Sequence, residues 1–247
     1  KLLSKLIKKK VIYDFRQNDL KNGGEGAPLT PIFHQMLQKK FNIKPVSFFN
    51  IGGILNRTTI GDDGKLTAKD LGPGMCLIDK WIRYKTKKKY DKNGDIAKSG
   101  KTNKIVLDNY WGNFKTSDLE QTSYDTSDFD ISFAKGLSLK DGAATLTLYT
   151  ANFFISHFKT NEQFKDLPKE KIILCGGGRK NKFLVNIIKN FNKNIKLIDD
   201  YGIDGDFIES QAFGYLAVRS YLKLPISFPE TTGCKKPTTG GVIIKNF

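Results

Sequence analysis

The chain has 247 residues, 39% hydrophobic and 27% charged, with 23 glycines, a globular composition long enough to bury more than one core. No apolar run approaches the roughly 20 residues of a membrane span, and the opening decapeptide has neither the apolar centre nor the cleavage site of a secretory signal. Against 25 Asp+Glu stand 41 Lys+Arg, a net charge of +16, but the lysines are dispersed along the whole chain, which argues against a dedicated nucleic-acid face.

Val11–Phe15 reads as a short buried strand. The turn Asn22-Gly-Gly-Glu-Gly26 follows, and Pro28 and Pro31 open an apolar-periodic helix over 32–41. Three strand-like runs come next, at 46–50, 54–60 and 65–69, joined by the Gly52-Gly53 and Gly61–Gly64 turns. Asp70-Leu-Gly-Pro-Gly74 leads into an amphipathic helix on which Leu77, Ile78, Trp81, Ile82 and Tyr84 share a face. The run Lys85–Lys89 closes that helix, where cations complement its dipole.

Residues 90–137 are polar and irregular, and read as an insertion or lid rather than as core. Ser138 and Asp141 form an acidic variant of a capping box ahead of an apolar helix over 143–158. Strand 171–175, helix 182–191, strand 195–198 and helix 206–222 then alternate, and a Pro/Thr/Gly-rich tail ends in a strand at 242–244.

From residue 46 the order is thus βββαβαβα, which is not a doubly wound Rossmann alternation. It is the order of an actin-like ATPase (ribonuclease H-like) lobe. On that division residues 1–45 are the remnant of a first lobe, and 46–223 are the second lobe with its insertion at 90–137. The tail, 224–247, returns to the first. The chain opens on Lys1 rather than Met, so the reading takes it to begin inside a longer protein.

Cys76, Cys175 and Cys234 lie far apart without Cys-x-x-Cys spacing, which speaks against zinc or a disulfide framework and for a reducing cytoplasm. His34 and His157 are the only histidines, too few for a three-histidine metal site; no metal-ligating residue is assigned.

Cys175-Gly-Gly-Gly178 follows a buried strand and precedes a helix, so Gly176, Gly177 and Gly178 form either a tight turn or a backbone cradle for a nucleotide. Gly52 and Gly53 are either a plain hairpin turn or the loop that curls around the β- and γ-phosphates. Asp70 is a helix cap or the carboxylate that orients a nucleophile for phosphoryl transfer. Asp14, Arg16 and Asp19 group a guanidinium with two carboxylates, a local ion pair or a grip on a sugar carboxylate. Glu209, in the first turn of its helix, either favours the dipole or meets sugar hydroxyls.

Taken in order, Asp14-Phe-Arg16, Gly23-Gly-Glu-Gly-Ala-Pro-Leu29, Phe33-His34, Asn50-Ile-Gly-Gly-Ile54, Gly72-Pro-Gly74 with Asp79 and Trp81, Tyr90-Asp-Lys92, Cys175-Gly-Gly-Gly178 with Asn181, Gly205-Asp206 with Glu209-Ser-Gln-Ala-Phe213, and Leu224-Pro225 with Thr231-Thr-Gly233 resemble the anhydro-N-acetylmuramic acid kinase family over essentially the whole chain. The resemblance implies a two-lobed actin-like kinase using ATP and Mg²⁺. It implies Asp70 as the base that activates water, Arg16, Glu209 and Asp14 on the anhydro amino sugar, and nucleotide contacts at Gly52, Gly53, Gly72, Gly74, Gly176, Gly177, Gly178 and Asn181. Relatives imply a homodimer.

Three departures stand out. Leu71 and Met75 replace Thr and Asn of the family's Asp-Thr-Gly-Pro-Gly-Asn motif. Gln121-Thr-Ser123 replaces Pro-Lys-Ser, and no Gly-Thr-Ser-x-Asp-Gly phosphate loop occurs. The alternative to a kinase is an actin-like binding module that has lost catalysis.

Overall fold

The computed structural model describes residues 1–113, 123–159 and 170–247. In chain order the elements are α1 (Leu2–Ile7), β1 (Val11–Tyr13), α2 (Gln17–Lys21), α3 (Pro31–Phe41), β2 (Val46–Ile51), β3 (Ile54–Ile60) and β4 (Leu66–Pro73). Then come α4 (Cys76–Lys85), α5 (Asp95–Lys98), α6 (Lys104–Asn113), α7 (Leu139–Lys159), β5 (Lys171–Cys175), α8 (Lys182–Phe191), β6 (Lys196–Leu197), α9 (Ile208–Tyr221), α10 (Pro229–Thr232) and β7 (Val242–Ile244). Residues 121 and 122 of the Gln121–Ser123 stretch lie outside the described residues, and so does the side chain of His157. No described helix is long and apolar enough to cross a membrane.

Two sheets form: a five-stranded one in the order β4-β3-β2-β5-β6, and a pair of β1 with β7. The central strands β2 and β5 run parallel, with Val46 opposite Lys171 and Asn50 opposite Cys175. Nearly every residue of both is buried, the run of apolar side chains expected of a parallel strand covered on both faces.

The chain divides into two compact units. Unit 1 comprises Lys1–Lys44, Thr58–Lys69 and Phe207–Phe247; unit 2 comprises Pro45–Arg57 and Asp70–Asp206.

Unit 2 is organised around α7 and α4. Leu77, Ile78, Trp81 and Ile82 of α4 are fully buried together with Leu146, Tyr149, Phe153 and Phe154 of α7. Trp81 donates its indole N–H to the Leu139 carbonyl at 2.9 Å, so its one polar atom enters the core satisfied. Helix α7 begins as its sequence predicts. Ser138 Oγ accepts the Asp141 N–H at 3.1 Å and donates to Asp141 Oδ2 at 2.8 Å.

The expectation that residues 90–137 stand outside the core is corrected for the described part of that stretch. Ala97, Leu107, Phe129, Ile131 and Ala134 are all buried in the unit 2 core. Their anchors sit one at a time on α5, α6 and short 3₁₀ turns, so no helical or strand period shows in the sequence.

The strand read as 65–69 runs on to Pro73, which places Asp70 inside β4 rather than beyond it. Gly72 makes the extension possible. Its φ is +149°, and a Cβ there would lie 2.6 Å from the Phe153 ring.

Unit 1 is held by β1 against β7, with Val11 opposite Ile244, and by a small core of Leu29, Ile32, Leu216 and Ile226. Asp19 is buried. Its carboxylate accepts the Gly26 N–H and the Thr232 hydroxyl, each at 2.7 Å, and so ties the glycine-rich turn to the C-terminal segment. Of the two readings of the Asp14, Arg16 and Asp19 group, Asp19 takes no part in an ion pair with Arg16: Arg16 is exposed, and Asp19 works as a pin between loops. His34 is also buried, 2.9 Å from the Thr58 hydroxyl, and desolvation pulls its pKa down to about 4.

Candidate nucleotide-binding cavity

Strands β2 and β5 end side by side, and both are followed at once by glycine. A cavity of about 570 Å³ opens in unit 2 at these carboxyl ends, lined by Ile51, Gly52, Gly53, Met75, Asp79, Tyr90, Asp91, Lys92, Asn93, Gly177, Lys180 and Asn181. Ligands of open α/β sheets bind at this edge.

The β2–β3 turn is fixed from behind. The backbone N–H of Met75 donates to the Gly52 carbonyl at 2.8 Å, and those of Gly74 and Cys76 donate to the Gly53 carbonyl at 3.0 and 3.2 Å. The first N–H groups at the start of α4, which a helix leaves unpaired, are thereby used to hold the hairpin. Gly74 is required by closeness, since a Cβ there would lie 2.4 Å from the Gly52 oxygen.

The three glycines after Cys175 do different jobs. Gly176 has φ +80°, and a Cβ would lie 2.4 Å from Asn50 Oδ1 and 2.7 Å from the Ile51 carbonyl oxygen. Gly178 sits against Ile51, where a Cβ would lie 2.4 Å from its Cγ2. Both let the turn lie down on the end of β2. A methyl group at Gly177 would meet nothing within 4 Å, and this glycine lines the cavity.

Arg179 clamps this turn. Its buried guanidinium donates to the Gly176 carbonyl at 3.1 Å and pairs with Asp199 and Asp206, each at 2.8 Å. Arg179 holds the Asp199 carboxylate below its usual range, and Lys180, with Arg179 second, does the same for Asp206. Gly205 leaves the room: a Cβ there would lie 2.2 Å from Arg179 Nε. Lys180, next along, pairs with Asp206 while lining the cavity.

Asn181 caps α8, its Oδ1 accepting the Leu184 N–H at 3.0 Å. The 90–94 segment is anchored by buried Asp91, which accepts the Ile96 and Ala97 N–H groups at 3.0 and 2.9 Å. That leaves the flanking Tyr90 and Lys92 on the cavity wall. Asp79, on α4, contributes a carboxylate whose Oδ1 is buried without a hydrogen-bond partner, and desolvation raises its pKa to about 6.

Of the residues singled out from sequence, Gly52, Gly53, Gly177 and Asn181 line the cavity. Gly74, Gly176 and Gly178 pack against the ends of its lining strands as described, and Gly72 lies in β4 against the Phe153 ring. Asp70 is half-buried in β4 and accepts the Tyr124 backbone N–H at 2.9 Å, which orients its carboxylate. Asp14, Arg16 and Glu209 belong to unit 1 and are exposed. There, Phe15 meets Phe213 with ring centroids 5.6 Å apart, which joins the segment that follows β1 to the first turns of α9, the stretches that carry Arg16 and Glu209.

Sequence reading gave no role to Asp79, Tyr90, Lys92 or Lys180. The signal for Asp79 was a carboxylate in the apolar stripe of α4, three residues from both Cys76 and Ile82. Among the described residues no group of three His, Cys, Asp or Glu side chains is placed to hold a metal.

These features define a mixed α/β protein with a ligand cavity at the carboxyl edge of its parallel strands. The chain belongs to the anhydro-N-acetylmuramic acid kinase family, whose profile matches residues 1–246. It is 49% identical to the anhydro-N-acetylmuramic acid kinase of Pelagibacter ubique, over 100% of this chain and 68% of the relative. The kinases of that name from Zymomonas mobilis and Rhizobium johnstonii are 42% and 39% identical, over 98% and 94% of this chain and 65% and 63% of theirs. The chain therefore spans about two thirds of the length of the curated relatives it matches. Among solved structures, the activator of 2-hydroxyisocaproyl-CoA dehydratase from Clostridium difficile, with bound ADPNP, aligns over 73% of this chain and 62% of its own, with 14% identity and a TM-score of 0.42.

Proposed function

We propose that the protein is a cytoplasmic ATP-dependent kinase of 1,6-anhydro-N-acetylmuramic acid, acting in peptidoglycan recycling, and that residues 46–223 are an actin-like lobe. The observation that carries the reading is the cavity at the ends of β2 and β5, lined by Gly52, Gly53, Gly177 and Asn181, residues to which the sequence resemblance gives nucleotide contacts. The strand order β4-β3-β2-β5-β6 supports the lobe assignment.

The cavity suits a nucleoside triphosphate. A glycine hairpin and an unobstructed Gly177 admit phosphates close to backbone, and Lys92 and Lys180 bring positive charge. When bound, ATP would supply the phosphoryl group, and Mg²⁺ carried with it would offset the charge of its phosphates, beside Lys92 and Lys180. In this reading Asp70, oriented by the Tyr124 N–H, takes a proton from water as the water oxygen bonds to the anomeric carbon. The bond from that carbon to O6 breaks, and O6 accepts the γ-phosphoryl group, giving N-acetylmuramic acid 6-phosphate and ADP. Arg16 and Glu209 serve the sugar, with Asp14 beside them.

Leu71 does not weaken the case, because its side chain is buried in the unit 2 core, where an apolar group packs well. Residues 1–247 by themselves are inactive in this reading, since the sequence holds no Gly-Thr-Ser-x-Asp-Gly loop for the remaining phosphate contacts. A coupled ADP-release assay on the full-length protein tests the proposal. Turnover should depend on the anhydro sugar and fall by at least about 10²-fold in Asp70→Asn, the lower end of what general base catalysis contributes. No sugar-dependent ADP release from the full-length protein would refute it.

A further inference from the structure

The short 3₁₀ turn Thr126–Asp128 lies between two parts of the site to which the proposed reaction gives work. On one side the backbone N–H of Tyr124, just before the turn, donates to Asp70 Oδ2 at 2.9 Å. On the other, Thr126 meets the β2–β3 hairpin so closely that a Cβ on Gly53 would lie 2.9 Å from Thr126 Cγ2. The turn is stiff in itself. Asp125 Oδ1 accepts the Ser127 N–H at 2.8 Å, and Asp128 Oδ2 accepts the Asp125 N–H at 2.7 Å.

Those bonds set the shape of the turn and not its place. Two groups set its place. Phe129 is buried in the unit 2 core, its ring centroid 5.5 Å from that of Tyr124. The ammonium of Lys80, on α4, donates to the carbonyls of Thr126 and Phe129, the second at 2.7 Å. Lys80 follows Cys76 by one helical turn, and the Cys76 N–H holds the Gly53 carbonyl. One helix thus grips the hairpin with its start and the 124–129 segment with its next turn.

A lysine that meets two loop carbonyls is ordinarily a local tie and nothing more. Here the tied segment carries the N–H that aims Asp70, at the end remote from Phe129. Without Lys80 the segment would stay pinned at Phe129, and its Tyr124 end would have the most freedom to swing. The hairpin differs. The N–H groups of Gly74, Met75 and Cys76 hold its two carbonyls whether or not the turn is in place.

We propose that Lys80 is a positioning residue for the reaction: by fixing the 124–129 segment to α4 it holds the Tyr124 N–H on Asp70 and keeps that carboxylate aligned, without adding to nucleotide affinity. The inference rests on the reading of Asp70 as the base and names the side chain that keeps it aimed.

Steady-state kinetics of the full-length protein, with ATP and the anhydro sugar each varied, tests it in wild type, Lys80→Met, Lys80→Gln and Lys80→Arg. Circular dichroism confirms that each variant is folded. Lys80→Met keeps the apolar stem and removes the donors. It should lower kcat about 10- to 100-fold, up to what a misplacement of about 1 Å costs, and leave KM for ATP within about threefold. In the same variant the 124–129 segment should exchange its amide hydrogens at least about tenfold faster, read by mass spectrometry. Lys80→Arg, whose fork can donate to both carbonyls, should recover kcat to within about threefold of wild type, with Lys80→Gln between. If Lys80→Met does not fold, Lys80→Gln against Lys80→Arg reads the same difference. An undiminished kcat in the variant without the cation overturns the proposal, and so does a lowered kcat in a segment that exchanges no faster. A rise in KM for ATP as large as the fall in kcat also overturns it, because the effect would then lie at the hairpin. No sugar-dependent ADP release by wild type removes the kinase reading itself, and the inference with it.

Discussion

An unpartnered buried carboxylate should make the ligand-free protein less stable than it needs to be, and Asp79→Asn measures by how much. Burial raises the Asp79 pKa to about 6, two units above an ordinary carboxyl group, despite the lowering influence of Arg83. Two units correspond to about 3 kcal/mol at 1.36 kcal/mol per unit. The residue as a whole is only half-buried, however, and solvent screening brings the expected figure to about 1 kcal/mol. The sign follows from the direction of the shift. A raised carboxyl pKa means that the fold holds its proton more tightly than the unfolded chain, so stability from this group is present below about pH 4 and is lost as pH rises through about 6. Asn stays neutral throughout. Without nucleotide, Asp79→Asn should therefore match wild type near pH 4 and melt about 2–4 °C higher at pH 8. Differential scanning fluorimetry across that range reads the gap. A variant that melts at or below wild type at pH 8, with a difference that does not change with pH, would show that Asp79 already has its partner in the free protein.

Other substitutions separate the parts of the site. Gly177→Ala meets nothing within 4 Å and should leave the melting temperature within about 2 °C while weakening ADP binding in calorimetry, whereas Gly176→Ala, at φ +80° against the Ile51 carbonyl, should destabilise by more than about 1 kcal/mol. Arg179→Lys removes the fork that joins Gly176, Asp199 and Asp206, and should cost about 2 kcal/mol in urea unfolding, with weaker ADP binding because the glycine turn loosens. His34 is buried neutral with a pKa of about 4, so the fold should lose about 3 kcal/mol on its account as pH falls from about 6.5 to 4; His34→Gln should be less stable at pH 7 yet lose less over that interval.

Local chemistry made much of this molecule legible in its sequence. Strand 171–175 and helix 182–191 follow from an apolar run, an Asn cap and a stripe at 184, 185 and 188, all of which are short-range signals. The glycines announced a special backbone after Cys175. The residue sequence alone could not divide their labour, because Gly176 and Gly178 are required by the end of β2, more than a hundred positions away. The 90–137 segment failed for a related reason: single anchors such as Ala97 and Phe129 have no period to detect. Asp79 was visible as an acid in an apolar stripe, but its burial and raised pKa depend on how α4 packs within unit 2, and no local rule reports that.

The arrangement also bears on how nucleotide and sugar recognition are shared along the chain. Every residue that lines the cavity belongs to unit 2, and each lining stretch has its own anchor within that unit: Met75 for the hairpin, Arg179 for the glycine turn, Asp91 for the 90–94 segment. Arg16 and Glu209 belong to unit 1, where Asp19 and the Phe15–Phe213 contact set the local backbone. The two sets of anchors share no residue, so substitutions in them should be close to additive. On the proposed function, Arg179→Lys should shift the apparent affinity for nucleotide without changing that for sugar, and Arg16→Lys should do the reverse, because a lysine could not reproduce the bidentate grip on the sugar carboxylate proposed for Arg16. Steady-state kinetics with either substrate varied resolves the two effects. A double variant whose losses depart from the product of the single ones by more than about threefold would mean that one unit's anchors also hold the other's site.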